Sequence, residues 1–364
     1  MAEICNNLKH QLLESINSSS KVFIVGHNEP DFDSISSAIG IQNLCTTIGC
    51  ESYIIVNDSE QDLEPSVKRI IENSKNKYNI IKLPDFLTLI GDNCSLIVVD
   101  ANKKYQLSIS EYLDLFENII VIDHHNPDQH TIASTYSYIE PTISSSAEIV
   151  ARLLNCFKVP YTEDVANYLL AGIELDTNRY KKNTTSITHD VAEKLIDKGA
   201  SPDFVNRLFL AEFETDCRIN NLVYNGSIFE RYERSIFQYR QVSFTLNRTA
   251  PTTIYKKEDL AKAADKLLEY PVDASFVIGY VKEGLVSISA RSKSDINVGE
   301  IMEEFTGGGN DQSAACKVET TDINSLEEDL KRVVGSKISQ KLPPKSLSII
   351  PPQYQKSKKI EKFF

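Results

Sequence analysis

The chain has 364 residues, 41% of them hydrophobic and 25% charged, which is enough for two compact domains and too much for one small stapled domain. With 51 acidic against 39 basic side chains the formal charge is −12, which excludes a general basic surface for holding long nucleic acid by its phosphates. Seven scattered cysteines, odd in number and without C-x-x-C spacing, argue against a disulfide framework and a zinc knuckle, and point to a reducing, cytoplasmic setting.

The opening MAEICNNLKHQLLES has the pattern of an amphipathic helix without the apolar run of a signal peptide. No stretch approaches the roughly twenty apolar residues of a membrane span, so neither secretion nor a membrane is expected. Four short runs are rich in Val and Ile: KVFIVG (21–26), SYIIV (52–56), SLIVVD (95–100) and NIIVID (118–123). They lack a polar alternate, which predicts strands covered on both faces, as in a parallel sheet with crossover helices.

From 145 to 235 the pattern turns helical, in SSAEIVARLLNCF, DVANYLLAGIE, HDVAEKLIDKG and DFVNRLFLAEF. This stretch completes a first domain over 1–215 and supplies a linker helix over 216–235. Beyond it, IFQYRQVSFTL, ASFVIGYV and LVSISAR predict strands, while EDLAKAADKLLEY and SLEEDLKRVVGS predict helices. A smaller α+β domain over 236–340 results. Residues 341–364 carry four of the thirteen prolines and a run of lysines, the composition of a flexible basic tail.

Acidic and histidine residues gather at four element ends. His27, Asp31 and Asp33 come after the first strand, Asp100 ends the third, Asp123, His124 and His125 end the fourth, and Asp176 comes after an apolar helix. Groups at the carboxyl ends of parallel strands converge on one crevice. Six or seven of them can hold two divalent ions, and a mixture of carboxylates and imidazoles favours Mn²⁺, Fe²⁺ or Zn²⁺ over the all-oxygen shells of Ca²⁺ and Mg²⁺. Two cations with a bridging aspartate supply the positive charge that an acidic protein lacks for phosphoryl chemistry. Singly, Asp33 also reads as the cap of a helix starting near Ser34, and the two histidines as turn residues. Taken together, the spacing favours metal. His10, His130 and His189 stand apart and are expected as surface or core residues.

With the segments E-P-T-I-S-S-S-A-E-I-V (140–150), A-G-I-E-L-D-T-N (171–178), A-S-F-V-I (274–278), I-S-A-R-S-K-S-D-I-N-V (288–298) and T-G-G-G-N-D-Q-S-A-A (306–315), these motifs resemble the DHH phosphoesterase superfamily. The likeness covers about residues 15–340 and leans to the cyclic-di-AMP phosphodiesterase and nanoRNase/pAp-phosphatase branches. It implies a parallel-sheet α/β DHH domain joined to a smaller α+β DHH-associated domain, with substrate in the cleft between them.

By the same resemblance His27, Asp31 and Asp100 hold one ion, and Asp33, Asp100, His124 and Asp176 the other. The metal is Mn²⁺, with Fe²⁺, Co²⁺ or Zn²⁺ as substitutes. His125 faces the substrate phosphate, and Asp123 orients the neighbouring imidazole as its catalytic partner. Arg291 clamps another phosphate, and Gly307, Gly308 and Gly309 let backbone N–H groups approach a phosphate or base. Asn310 stands where the family usually has histidine. Phe32 replaces a common glycine and is expected to reshape the pocket mouth.

The implied activity is hydrolysis of cyclic-di-AMP to pApA and further to AMP. Trimming of very short oligonucleotides with pAp dephosphorylation, and nucleotide sensing without hydrolysis, are the alternatives. Pyrophosphatase is disfavoured by S-A-R-S and G-G-G-N. A homodimer is compatible with this reading. The terminal S-K-K-I-E-K-F-F (357–364) has the spacing of a sliding-clamp peptide, against the simpler reading of a disordered basic end.

Overall fold

The apolar runs of the amino-terminal half fold into one sheet, all of whose pairings are parallel. In the computed structural model the described residues are 2–57, 63, 65–74, 76–210, 213–224, 226–233, 238–246 and 254–340. The tail expected over 341–364, with its clamp-like peptide, lies outside them. The chain divides into two compact units, the break falling after Leu210.

The first unit runs α1 (Ala2–Ser18), β1 (Lys21–Val25), α2 (Phe32–Ile48), β2 (Ser52–Val56), α3 (Pro65–Ser74), β3 (Ile80–Lys82), α4 (Leu83–Leu89), β4 (Cys94–Val99), β5 (Asn118–Asp123), β6 (Tyr136–Ile139), α5 (Ser146–Phe157), α6 (Glu163–Asp176), α7 (Ser186–Asp197) and α8 (Pro202–Leu208). The strand order is β3-β2-β1-β4-β5-β6. Successive residues of a strand face opposite sides, so Val22 and Ile24 pack with Leu12, Ile39 and Leu169 while Phe23 and Val25 pack with Phe86 and Leu96. Both faces are therefore covered, as the missing polar alternate predicts. The short β3 and β6, at the two edges, were not expected; their residues are half-buried or exposed and form no long apolar run.

The second unit runs α9 (Phe213–Tyr224), β7 (Gly226–Glu233), β8 (Gln238–Leu246), α10 (Lys257–Leu267), β9 (Ala274–Lys282), β10 (Leu285–Ser292), α11 (Val298–Glu303), β11 (Gly308–Gly309), β12 (Ser313–Glu319) and α12 (Ile323–Gln340). Its sheet has the order β11-β12-β10-β9-β8-β7, antiparallel except for β8 with β9. Phe276, Ile278 and Ile288 pack with Leu330 on one face, and Val277 packs with Leu260 and Ala263 on the other.

The linker helix expected over 216–235 stops at Tyr224, and residues 226–233 pair with β8 instead. The run I-F-E-R-Y-E carries the branched and aromatic residues that suit a pleated surface. Ile219, Leu222 and Val223 of α9 pack with Leu260 and Ala263, so this helix belongs to the second unit's core. Cys45, Cys50, Cys94, Cys217 and Cys316 are free, while Cys156 is disulfide-bonded. Spacing along the sequence does not report which thiols fold within bonding distance. No helix among the described residues is long and apolar enough to cross a membrane.

Candidate metal centre

β1 and β4 are neighbours at the point where the strand order turns back, which leaves a crevice beyond their carboxyl ends. His27 lies two residues past β1 and Asp31 caps α2, its Oδ1 accepting from Asp33 N at 2.9 Å and Ser34 N at 3.0 Å. Asp33 occupies the first turn of α2 and is fully buried. The helix thus begins at Phe32 with Asp31 as its cap, and the capping role read for Asp33 falls to its neighbour.

Asp100 comes directly after β4 in the left-handed region, at φ 55°, where aspartate is one of the few tolerated side chains. Asp123 ends β5, with His124 and His125 next in line. Asp176 is the last residue of α6. A Cβ on Gly172 would stand 2.5 Å from Ser36 Oγ and 2.8 Å from Ala147 Cβ, so the absence of a side chain there lets α6 close on α2 and α5.

The crevice holds two clusters that meet at Asp100. His27 Nε2 is 3.5 Å from Asp100 Oδ2 and 3.8 Å from Asp31 Oδ1. His124 Nε2 is 2.9 Å from Asp176 Oδ2, 3.6 Å from Asp100 Oδ1 and 3.7 Å from Asp33 Oδ2. Each oxygen of Asp100 therefore faces a different imidazole. Asp123 Oδ1 accepts the backbone N–H groups of His124 and His125 at 2.8 and 3.2 Å and lies 2.9 Å from His125 Nδ1.

This donor set suits divalent cations. His124 Nε2 is buried without a satisfying hydrogen bond, although Asp176 Oδ2 lies 2.9 Å away, and a ligated ion would satisfy it. Burial first, then the charges of neighbouring carboxylates, holds the Asp33 and Asp100 carboxyls well above their ordinary pKa. At Asp31 burial pushes the same way, but the adjacent His27 and two backbone donors outweigh it and lower the pKa. Burial pulls His27 and His124 down, and surrounding carboxylates outweigh it to raise both. His125 is raised chiefly by its hydrogen bond with Asp123. Carboxylates crowded in this way repel one another until a cation compensates them.

A cavity of about 380 Å³ opens on this cluster, with His27, Asp31, Asp100, Tyr105, His125 and Asp176 in its wall. Further contributors are Ser146, Asn102, Tyr105 and Gln106. Ser146 Oγ donates to Asp100 Oδ1 at 3.2 Å, Asn102 Nδ2 donates to the carbonyl of His125 at 2.9 Å, and Tyr105 and Gln106 line the cavity. Ser145 caps α5, its Oγ accepting from Glu148 N at 3.1 Å, while Ser144 bonds the Glu148 carboxylate. Only the position of Asn102 and Tyr105 just past a strand end could have signalled them. Phe32 does not reach the pocket mouth: it is buried, edge-on to Phe209 with ring centroids 4.8 Å apart. His10, His130 and His189 are exposed.

In the second unit Arg291 lies on β10 opposite Ser313, its Nε 2.9 Å from Asp265 Oδ1. Gly307 leads into the β11–β12 hairpin formed by Gly308 and Gly309. Asn310 Oδ1 accepts from Gln312 N at 2.9 Å and Ser313 N at 2.7 Å, closing the turn that joins the two strands. Arginine and turn thus share one end of this sheet.

An open parallel sheet with a histidine–carboxylate crevice at its switch point, together with a mixed-sheet unit, defines an α/β protein with a candidate two-metal centre. The chain belongs to the DHH family: residues 21–173 match the DHH family N-terminal domain and residues 243–336 the DHHA1 domain. It is 33% identical over 349 residues to a membrane protein–large ribosomal subunit bL9 fusion protein of Aster yellows witches'-broom phytoplasma, covering 93% of this chain and 39% of that one. It is 32% identical over 335 residues to the cyclic-di-AMP phosphodiesterase GdpP of Geobacillus thermodenitrificans, covering 90% and 49%. The chain thus spans half or less of the length of these two relatives. With the bifunctional oligoribonuclease and PAP phosphatase NrnA of Mycoplasma genitalium it shares 23% identity over 338 residues, 89% of this chain and 97% of that one. Among solved structures, an exopolyphosphatase-related protein from Bacteroides fragilis superposes with a TM-score of 0.74 at 19% identity, over 93% of this chain and 96% of that one, which supports the fold.

Proposed function

We propose that this chain is a two-metal phosphodiesterase that opens cyclic-di-AMP to pApA and carries it on to AMP. The observation that carries the reading is Asp100, buried and turned with one oxygen towards His27 and the other towards His124. The relative named GdpP matches across both family regions. His27, Asp31 and Asp100 would hold one ion, and Asp33, Asp100, His124 and Asp176 the second. Mn²⁺ suits the mixed set, and a relative over 185 residues is named a probable manganese-dependent inorganic pyrophosphatase. Such ions, when bound, polarise a phosphoryl oxygen and lower the pKa of water.

The chain's own groups do the positioning. Asp123 accepts a hydrogen bond from the Nδ1–H of His125, which leaves Nε2 free for a substrate phosphate; the raised pKa favours the imidazolium, so that Nε2 donates. Asn102 fixes the His125 backbone, and Ser146 holds Asp100. Arg291 and the turn at Gly307–Asn310 would meet another phosphate or the base. A net charge of −12 favours short substrates in a cytoplasmic setting.

A second reading, removal of nucleotides from very short RNA and of phosphate from pAp, is supported by the match to NrnA, which runs over 97% of that protein. Hydrolysis of cyclic-di-AMP, pApA, pAp and pyrophosphate side by side with Mn²⁺ decides between them. Preferred turnover of cyclic-di-AMP supports the first reading and of pApA or pAp the second. Bound metal with no turnover of any would point to a nucleotide-sensing module.

A further inference from the structure

Tyr105 is 65% exposed, yet it stands in the wall of the cavity that holds His27, Asp100 and His125. A single exposed aromatic is ordinary on a protein surface. This one differs in how it is held. Its short 3₁₀ turn (Lys104–Gln106) is tied to the segment after β1, where Asn28 N donates to Gln106 O at 2.7 Å, one residue beyond His27. On the other side Ile132 N donates to Asn102 O at 2.8 Å, and the Asn102 side chain reaches His125 O at 2.9 Å. Lys103 closes the turn from below, pairing with Thr131 and forming an ion pair with Asp128 at 2.8 Å. The backbone bearing the ring is thus braced to the segments that carry two of the cluster's histidines. The His130 ring is T-shaped to it with centroids 6.3 Å apart, and most of the Tyr105 side chain stays open to solvent.

We propose that Tyr105 is the stacking platform for a nucleobase whose phosphate lies at the metal cluster, so that the first unit itself distinguishes nucleotides from base-free phosphate esters. A flat, exposed aromatic on a braced backbone beside a candidate phosphate site is what sequence-tolerant base binding requires. The identity of the ligand rests on the phosphodiesterase reading, while stacking itself is measured without turnover.

The test is equilibrium binding of AMP and of ribose 5-phosphate to the Mn²⁺-loaded full chain and to its Tyr105→Ala and Tyr105→Trp variants. The wild type should prefer AMP, Tyr105→Ala should weaken AMP on the order of tenfold while leaving ribose 5-phosphate unchanged, and Tyr105→Trp should keep AMP tight. Equal weakening of both probes, no change in either, or a wild type that binds neither overturns the platform. Tyr105-dependent AMP binding without hydrolysis of any dinucleotide upholds it and overturns only the phosphodiesterase reading.

Discussion

Asp33 accepts the backbone N–H of Ser146 at 2.8 Å, and its other oxygen accepts that of Ala147 at 2.7 Å, so a carboxylate from α2 closes the amino terminus of α5. Helix starts leave unpaired N–H groups and carry partial positive charge. Here that charge is placed beside a crowded set of acids. One residue therefore serves two purposes: it joins two helices and it offers oxygen to the cluster.

Asp33→Ala separates these purposes. Leaving buried donors unpaired costs about 1–3 kcal/mol each, and relief of repulsion with Asp100 and Asp176 offsets part of it. A net loss of about 2 kcal/mol is expected without metal, or a melting temperature lower by roughly 4–8 °C. With Mn²⁺ present the gap to wild type should widen. An unchanged melting temperature in metal-free buffer would show that the two hydrogen bonds to α5 do not outweigh the repulsion among the acids.

Metal addition gives the next prediction. At one hundred times the dissociation constant a ligand stabilises by about 2.7 kcal/mol, which for this size of domain is a rise of roughly 5–10 °C. Asp100→Asn is the sharper variant, because asparagine also accepts the left-handed backbone while removing the charge shared by both clusters. It should lose the Mn²⁺ shift, bind fewer than one ion by elemental analysis, and lose at least about a thousandfold in turnover. Asp31→Asn should keep one ion. Two ions retained in Asp100→Asn would dismiss the shared-ligand arrangement.

Much of this was legible in the sequence because strands buried on both faces leave continuous apolar runs, and three of the four runs lead directly into the groups they deliver. Asp100 and the Asp123–His125 triplet needed no more than that. The edge strands β3 and β6 left no such trace, since their residues are half-buried or exposed. The overlong linker helix is a failure of a different kind: helical period fades at Tyr224, and only pairing with β8 makes residues 226–233 a strand. The contacts of Ser146 and Asn102 were hidden because their partners, Asp100 and His125, lie 46 and 23 residues away.

The glycine run separates backbone need from ligand need. A Cβ on Gly307 would stand 2.4 Å from Ala315 O, and one on Gly309, where φ is 146°, 2.3 Å from Ser313 O. Gly308 has open space around it. Gly307→Ala and Gly309→Ala should each cost about 2 kcal/mol or more in chemical denaturation, and Gly308→Ala about 0.5 or less. If the hairpin also cradles substrate, Gly308→Ala raises KM with stability intact, and a KM equal to wild type would leave the run a purely structural feature.

Arg291 allows the most direct check on the second unit. Its guanidinium is largely buried and paired with Asp265, a residue 56% exposed, and also donates to the carbonyl of Ala290. An ion pair with one partner this open to water contributes about 1 kcal/mol or less, so substrate can compete for the arginine. If Arg291 binds phosphate, Asp265 is its competitor in the free protein. Asp265→Ala should then lower KM for pApA by about two- to fivefold, while Arg291→Ala raises it roughly tenfold, with kcat changed far less in both. A structural pair would behave otherwise, because both substitutions would lower the melting temperature and leave KM where it was. The opposite signs of the two KM changes are the signature, since no loss of packing makes removal of one partner tighten binding while removal of the other weakens it.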